Sequence, residues 1–185
     1  MPSKLVETYA ERTPLEARKA ELACQVGVTM RSGAACIQGD VLGEVAATEM
    51  FRRRSHALAA GAGFALNSPT GTVDDASVFA AGDVLKNAAG AAVGTIAAGG
   101  VNVSANTITL TANAAVAVAA GAAVVGSDGS QKAKAIADEA NDGIGETQIP
   151  VFVCGLLLES RLRGLDDSAK SELGGASVAG GIFKF

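Results

Sequence analysis

All 23 glycines of this 185-residue chain lie beyond Val26, and they divide it into short alternating or apolar runs. Glycine weakens a helix interior and supplies the backbone freedom that turns need. A chain punctuated in this way folds into short strands joined by turns rather than into long helices. The runs "ACIQGDVLGEVAAT", "GDVLKN", "AAVGTIAA", "NTITLTA" and "QIPVFVCGLLLE" all read as such strands. In "NTITLT", Ile108 and Leu110 point one way and Thr107, Thr109 and Thr111 the other, the alternation of a half-buried strand. "GDVL" occurs twice, at 39–42 and 82–85, each time as a Gly-Asp turn feeding a strand. Two copies do not make a repeat array.

Two stretches need separate treatment. "ANAAVAVAAGAAVVG" has the alanine content of a helix, with Asn113 as a cap and Gly121 as a stop. Val116 and Val118 alternate, however, and no charge marks a solvent face, so irregular structure followed by a strand at Ala122 to Val125 is expected. "GLDDSAKSELGG" reads as a short helix begun by Asp166 or Asp167 and stopped by Gly174 and Gly175. "AGGIFKF" closes the chain as a final strand.

Residues 1–25 are different. Lys4, Glu7, Glu11, Arg12, Glu16, Arg18, Lys19 and Glu21 crowd this segment. "TPLE" has the form of a capping box, with Thr13 as N-cap and Pro14 at the first helical position. A helix from Pro14 to about Cys24 would bury only Leu15 and Leu22, too little to hold it alone. Lys4, Leu5, Val6, Tyr9, Leu15 and Leu22 therefore belong to an arm that needs a surface to lie on. The expected fold is mainly β. A compact barrel- or sandwich-like body with short helices spans 26–185, behind an extended N-terminal arm at 1–25.

Aromatics make up 4% of the chain against 38 alanines, so the core lacks the large anchors that dominate burial energy. Association with copies of itself or with a partner would offset that shortage. A net charge of −4 and a pI near 5.0 argue against nucleic-acid binding. No apolar signal region opens the chain. The longest uncharged apolar run, 114–126, falls short of the roughly 20 residues that span a bilayer. A soluble protein with neither membrane nor nucleic-acid partner is expected. Arg52, Arg53 and Arg54 form the one basic cluster, read as a solvated loop or strand edge, with an acidic protein partner as the alternative.

Cys24, Cys36 and Cys154 are odd in number and lack C-x-x-C spacing, so neither a disulfide nor a zinc site is expected. Cys154 reads as a buried, inert thiol, and reduced cysteines suit assembly in a cytoplasm. His56 is the one histidine and sits beside the arginines, where a surface position is expected. A Cys–His pair would need Cys36 or Cys154 to meet it in space, with a third group to orient the base. H-E-x-x-H and G-x-x-x-x-G-K-[ST] are both absent from the sequence. No catalytic residue, metal or cofactor is expected, and the chain is not read as an enzyme.

The C-terminal third, from "GSDGSQKAKAIADEA" through "PVFVCGLLL" to "GGIFKF", resembles the head-decoration (capsid cement) proteins of lambda-type tailed bacteriophages. The matching pieces are Asp128-Gly129, Ala135 to Glu139, Asp142 to Thr147, Val151 to Gly155, Asp166 to Leu173 and Ile182 to Phe185. "IQGDVLGEV" looks like the family's opening strand. Two departures stand out. Leu156, Leu157 and Leu158 follow Gly155 where the family has an aromatic, and residues 50–126 look like an inserted β segment.

The resemblance implies a structural virion protein on the outer capsid surface. It would sit as a homotrimer at three-fold positions, bind the major capsid protein and stabilise the shell, with the arm adding contacts. Arg52, Arg53 and Arg54 are a candidate interface. The alternatives are another phage structural module, such as a fibre or baseplate piece, and a small cysteine-dependent enzyme using Cys154.

Overall fold

The computed structural model describes residues 24–178 and 181–185, and the side chain of Val178 is not among what it describes. The expected arm residues Lys4, Leu5, Val6, Tyr9, Leu15 and Leu22 lie outside this range, as does the expected helix from Pro14 apart from its last residue. Cys24 does not end a helix; it opens the first strand, so the β body begins ahead of Val26.

The described chain is mainly β. Its strands are β1 (Cys24–Met30), β2 (Val41–Val45), β3 (Met50–Arg53), β4 (His56–Phe64), β5 (Thr70–Val73), β6 (Val84–Asn87) and β7 (Ala92–Asn102). They continue as β8 (Thr107–Leu110), β9 (Ala123–Val125), β10 (Ala133–Ala137), β11 (Thr147–Cys154), β12 (Leu156–Leu158), β13 (Ala176–Val178) and β14 (Ile182–Lys184). One short helix, α1 (Asp167–Glu172), precedes β13. A first barrel runs β1-β11-β10-β2-β3 and closes where Met30 meets Phe51 in parallel. A second barrel, β4-β5-β8-β7-β6-β9, is built entirely from residues 56–125 and interrupts the first between β3 and β10. β12, β14 and β13 form a small antiparallel sheet.

The apolar runs of β2, β10 and β11 follow from burial on both faces. Leu42, Ala135, Ala137 and Val151 point into the first barrel beside Met30 and Ile149. Their neighbours Val41, Ile136 and Phe152 point outward, against Leu157, Phe183 and Ala169 of the small sheet and α1. A strand covered twice reads as continuously hydrophobic rather than alternating. Each large side chain so buried contributes about 1.5–3 kcal/mol. Gly43, in the middle of β2, is required by close approach: a Cβ there would overlap the backbone carbonyl of Ser130.

The second barrel has its own core, with Phe64, Val73, Leu85, Val93, Ile96, Ile108, Leu110 and Val124 all nearly inaccessible. Thr107 and Thr109 alternate outward as the sequence implied. The Ala-rich stretch after Asn113 forms no helix. Val118 exchanges backbone hydrogen bonds with Phe64 (N–H donors at 2.8 and 3.0 Å), and β9 follows at Ala123. α1 begins where expected: Asp166 caps it by accepting the N–H of Ala169 at 2.7 Å.

Candidate functional site: the joint between the barrels

The reading of Arg52, Arg53 and Arg54 as a solvent-facing basic cluster is corrected by the structure. Arg52 and Arg54 are 5% and 4% exposed. All three guanidiniums are engaged by carboxylates of this chain. Arg52 grips Asp83 through both terminal nitrogens, at 3.0 and 2.9 Å, donates to the Val78 carbonyl at 2.7 Å, and reaches Asp128 at 3.3 Å. Arg53 pairs with Asp75 at 2.7 Å and with Asp40 at 3.1 Å. Arg54 donates to the Gln131 carbonyl at 3.0 Å and pairs with Asp166 at 2.8 Å and Glu172 at 3.3 Å. Asp75 and Asp83 belong to the second barrel, Asp40 and Asp128 to the first, and Asp166 caps α1. The run of arginines therefore fastens three parts of the fold together.

The two "GDVL" copies explain how the carboxylates are placed. Asp40 Oδ2 accepts the N–H of Ile37 at 2.9 Å, and Asp83 Oδ2 accepts the N–H of Ala80 at 2.8 Å. Each aspartate also donates its own N–H to the carbonyl three residues back, at 3.1 Å in both cases. The preceding glycines, Gly39 and Gly82, take φ of +91° and +86°, open to glycine without strain. One such turn lies in each barrel, and each presents its aspartate to the arginine triplet. Both copies of the motif thus meet the same strand end, Asp83 at Arg52 and Asp40 at Arg53.

His56 is not a surface residue. Its side chain is 15% exposed, and Nδ1 lies 3.2 Å from Asp166. Burial, reinforced by Arg54, holds its pKa below the ordinary 6.5. Burial pushes Asp166 upward, but the Ala169 N–H and Arg54 outweigh it, and its pKa falls below 3.8. Asp75 behaves alike, with hydrogen bonds from Ser77 and Arg53 overcoming burial.

All three shifts have one sign. The unfolded chain binds more protons than the folded one, so acid destabilises the fold. Stability measured by urea unfolding should be level around neutrality, fall as pH drops through 6.5, and level off again once pH is below the depressed His56 pKa, where both states carry the proton. A second loss should begin below 3.8, where Asp75 and Asp166 are forced to protonate. A His56→Gln variant should lose the first step and keep the second.

Two expectations about the cysteines are corrected. Cys24 and Cys154 form a disulfide, with Cα atoms 5.0 Å apart across the β1–β11 ladder. Cys154 is therefore not an inert thiol. Cys36 is the free cysteine, buried, its sulfur 3.8 Å from the Glu139 carbonyl and its pKa raised by burial. The charged groups acting on His56 are Arg54, Asp166, Glu172 and Asp74, and Cys154, held in the disulfide, is not available to it as a nucleophilic thiol. Among the described residues no cluster of three or more His, Cys, Asp or Glu side chains is set to hold a metal ion. No helix among them is long and apolar enough to cross a membrane.

Two clefts flank the arginine strand. The larger, about 460 Å³, is lined by Arg31, Arg52, Arg53 and Arg163 together with Ala34, Ile37 and Phe79, and Asp40 lies in its wall. The smaller, about 300 Å³, lies beside His56, Asp74, Asp75 and Asp166. Sequence reasoning found the arginines but not their internal partners, and it passed over Arg31 and Arg163. Comparison of the chain with family models, with curated proteins and with solved structures gave no match.

Proposed function

We propose that this chain is a structural virion protein that binds the outer surface of a tailed-phage capsid, as a trimer at three-fold positions, and stabilises the shell. One observation carries the reading. The pieces that resemble the decoration proteins are the sequence-distant parts that pack around one core: β2, β10, β11, α1 and β14 supply Val41, Ile136, Phe152, Ala169 and Phe183 to a single cluster. Of the 50–126 stretch that the resemblance leaves out, residues 56–125 form a barrel of their own, whereas Met50–Arg53 pair with β2 as part of the first barrel. A clamp on a shell needs a stiff body rather than a catalytic group, and the arginine joint and β ladders support that reading.

The arm at 1–23 is assigned to the capsid. Covering Leu5, Val6, Tyr9, Leu15 and Leu22 would yield about 1.5–3 kcal/mol for each large side chain fully buried, offset in part by ordering. Co-sedimentation with expanded capsids, followed by cryo-EM of the decorated particle, tests the whole reading. Density at three-fold positions is the expected result. Deleting residues 2–23 should leave the melting temperature nearly unchanged and weaken capsid binding tenfold or more, about 1.4 kcal/mol. Failure to bind capsids, or a monomer both in solution and on the shell, would overturn it. Binding to tails or baseplates instead would favour the other phage structural module.

A further inference from the structure

We infer that the larger inter-barrel cleft is a binding site for an aliphatic carboxylate, an acidic side chain or a small dicarboxylic acid, held by Arg31 and Arg163. This inference is independent of the capsid reading. The four arginines lining the cleft fall into two kinds. Arg52 and Arg53 are spent: Arg52 donates to Asp83 and the Val78 carbonyl, and Arg53 to Asp75 while pairing with buried Asp40. Arg31 and Arg163 are not. Their side chains are 44% and 51% exposed, and their nearest carboxylates, Asp128 and Asp40, lie at 3.9 and 3.7 Å, beyond hydrogen-bond reach.

Asp128 Oδ2 is already held by Arg52 and Asp40 Oδ2 by Arg53. Asp40 Oδ1, buried and without a hydrogen-bond partner, lies 3.7 Å from Arg163 Nε and offsets part of that arginine's charge. Among the described residues neither Arg31 nor Arg163 donates a side-chain hydrogen bond, so two guanidinium forks border the cleft with their donors unused. A planar fork matches a carboxylate through two parallel hydrogen bonds, which a lysine cannot do. No lysine lines the cleft.

The rest of the lining sets the ligand's shape. Ala34, Ala35, Ile37, Phe79 and Ala80 give apolar walls, and Ile37 is 47% exposed. A volume of about 460 Å³ is within the range of small-ligand pockets, and a seam between two folded units is a common place for one. A short methylene chain ending in a carboxylate satisfies both the walls and the forks.

The test is titration of the full ¹⁵N-labelled chain with glutarate, with a short Glu-containing peptide and with inorganic phosphate, following the arginine Nε–H and backbone amide signals. Saturable shifts at Arg31, Arg163 and the Gly33–Cys36 amides are expected with glutarate or the peptide. Arg31→Lys should weaken binding tenfold or more while keeping the charge, and Arg31→Ala/Arg163→Ala should abolish it. Both positions are partly exposed, and an unchanged amide spectrum elsewhere shows that the variants are folded. Tighter binding of the peptide would assign the site to a protein partner, and equal binding to a free acid. No saturable shift with either, phosphate binding as tightly as glutarate, or full binding by Arg31→Lys would overturn the proposal.

Discussion

Replacing Arg52 with methionine is expected to cost about 3–5 kcal/mol, the penalty of leaving buried carboxylates without their counter-charge. Asp83 is 9% exposed, and both of its oxygens face the Arg52 guanidinium. Removing that guanidinium also strands the Val78 carbonyl, which accepts from it at 2.7 Å. Asp128 suffers less, because it keeps the N–H and hydroxyl of Ser130 at 3.0 and 2.6 Å. The effect should therefore come mainly from Asp83. Adding Asp83→Asn removes the uncompensated charge and keeps an acceptor for the Ala80 N–H. The double variant should recover a large part of the loss in a urea-unfolding series. If Arg52→Met unfolds at the wild-type midpoint, the pair does not hold the barrels together.

Reduction of the disulfide is the second large effect. Cys24 and Cys154 are 130 residues apart in sequence, and a loop of that order constrains the unfolded chain by roughly 4–5 kcal/mol in the chain-entropy account, with measured values more often about 2–5. For a chain of this size a loss of about 3 kcal/mol lowers the melting temperature by on the order of 10 °C. Cys154→Ser should show the same drop without reductant and no further drop with it. Cys36→Ser should keep the full drop on reduction, because the Cys24–Cys154 bond is still present. The local consequence is specific: Cys24, Gln25, Val26 and Gly27 are exposed, so little burial holds the start of β1 once the bond is open. Hydrogen exchange in β1 should accelerate more than in β10.

The strands were legible because a period of two and glycine punctuation are local signals. Ile108 and Leu110 against their threonines, the Asp166 cap, and the strand after Gly121 could all be read within a few residues. The disulfide could not. Three cysteines admit three pairings, and only the β1–β11 register, set by side chains over the whole ladder, puts Cys24 opposite Cys154. The arginine joint was half legible: three adjacent charges are obvious, but their partners lie 31 residues away at Asp83 and 112 away at Asp166. One signal was there to use. Between 56 and 125 the charged side chains are Asp74, Asp75, Asp83 and Lys86, and an almost uncharged segment that keeps its acids in two turns is keeping them for a cation.

The second barrel enters and leaves the first at one spot. Ser55 and Gly126 share a backbone hydrogen bond of 2.8 Å, and His56 lies opposite Val125. Their closeness leaves no room for a side chain at 126, where a Cβ would press on the Ser55 hydroxyl. A segment whose ends touch can be exchanged as a cassette: a two- or three-residue turn from 55 to 126 would leave every ladder of the first barrel its own partners. What resists the exchange is charge. Arg52 would lose Asp83 and Arg53 would lose Asp75, so the host strand has become dependent on its guest. A lineage that acquired such a cassette could swap its surface freely, provided that each replacement carried two aspartates in the same turns.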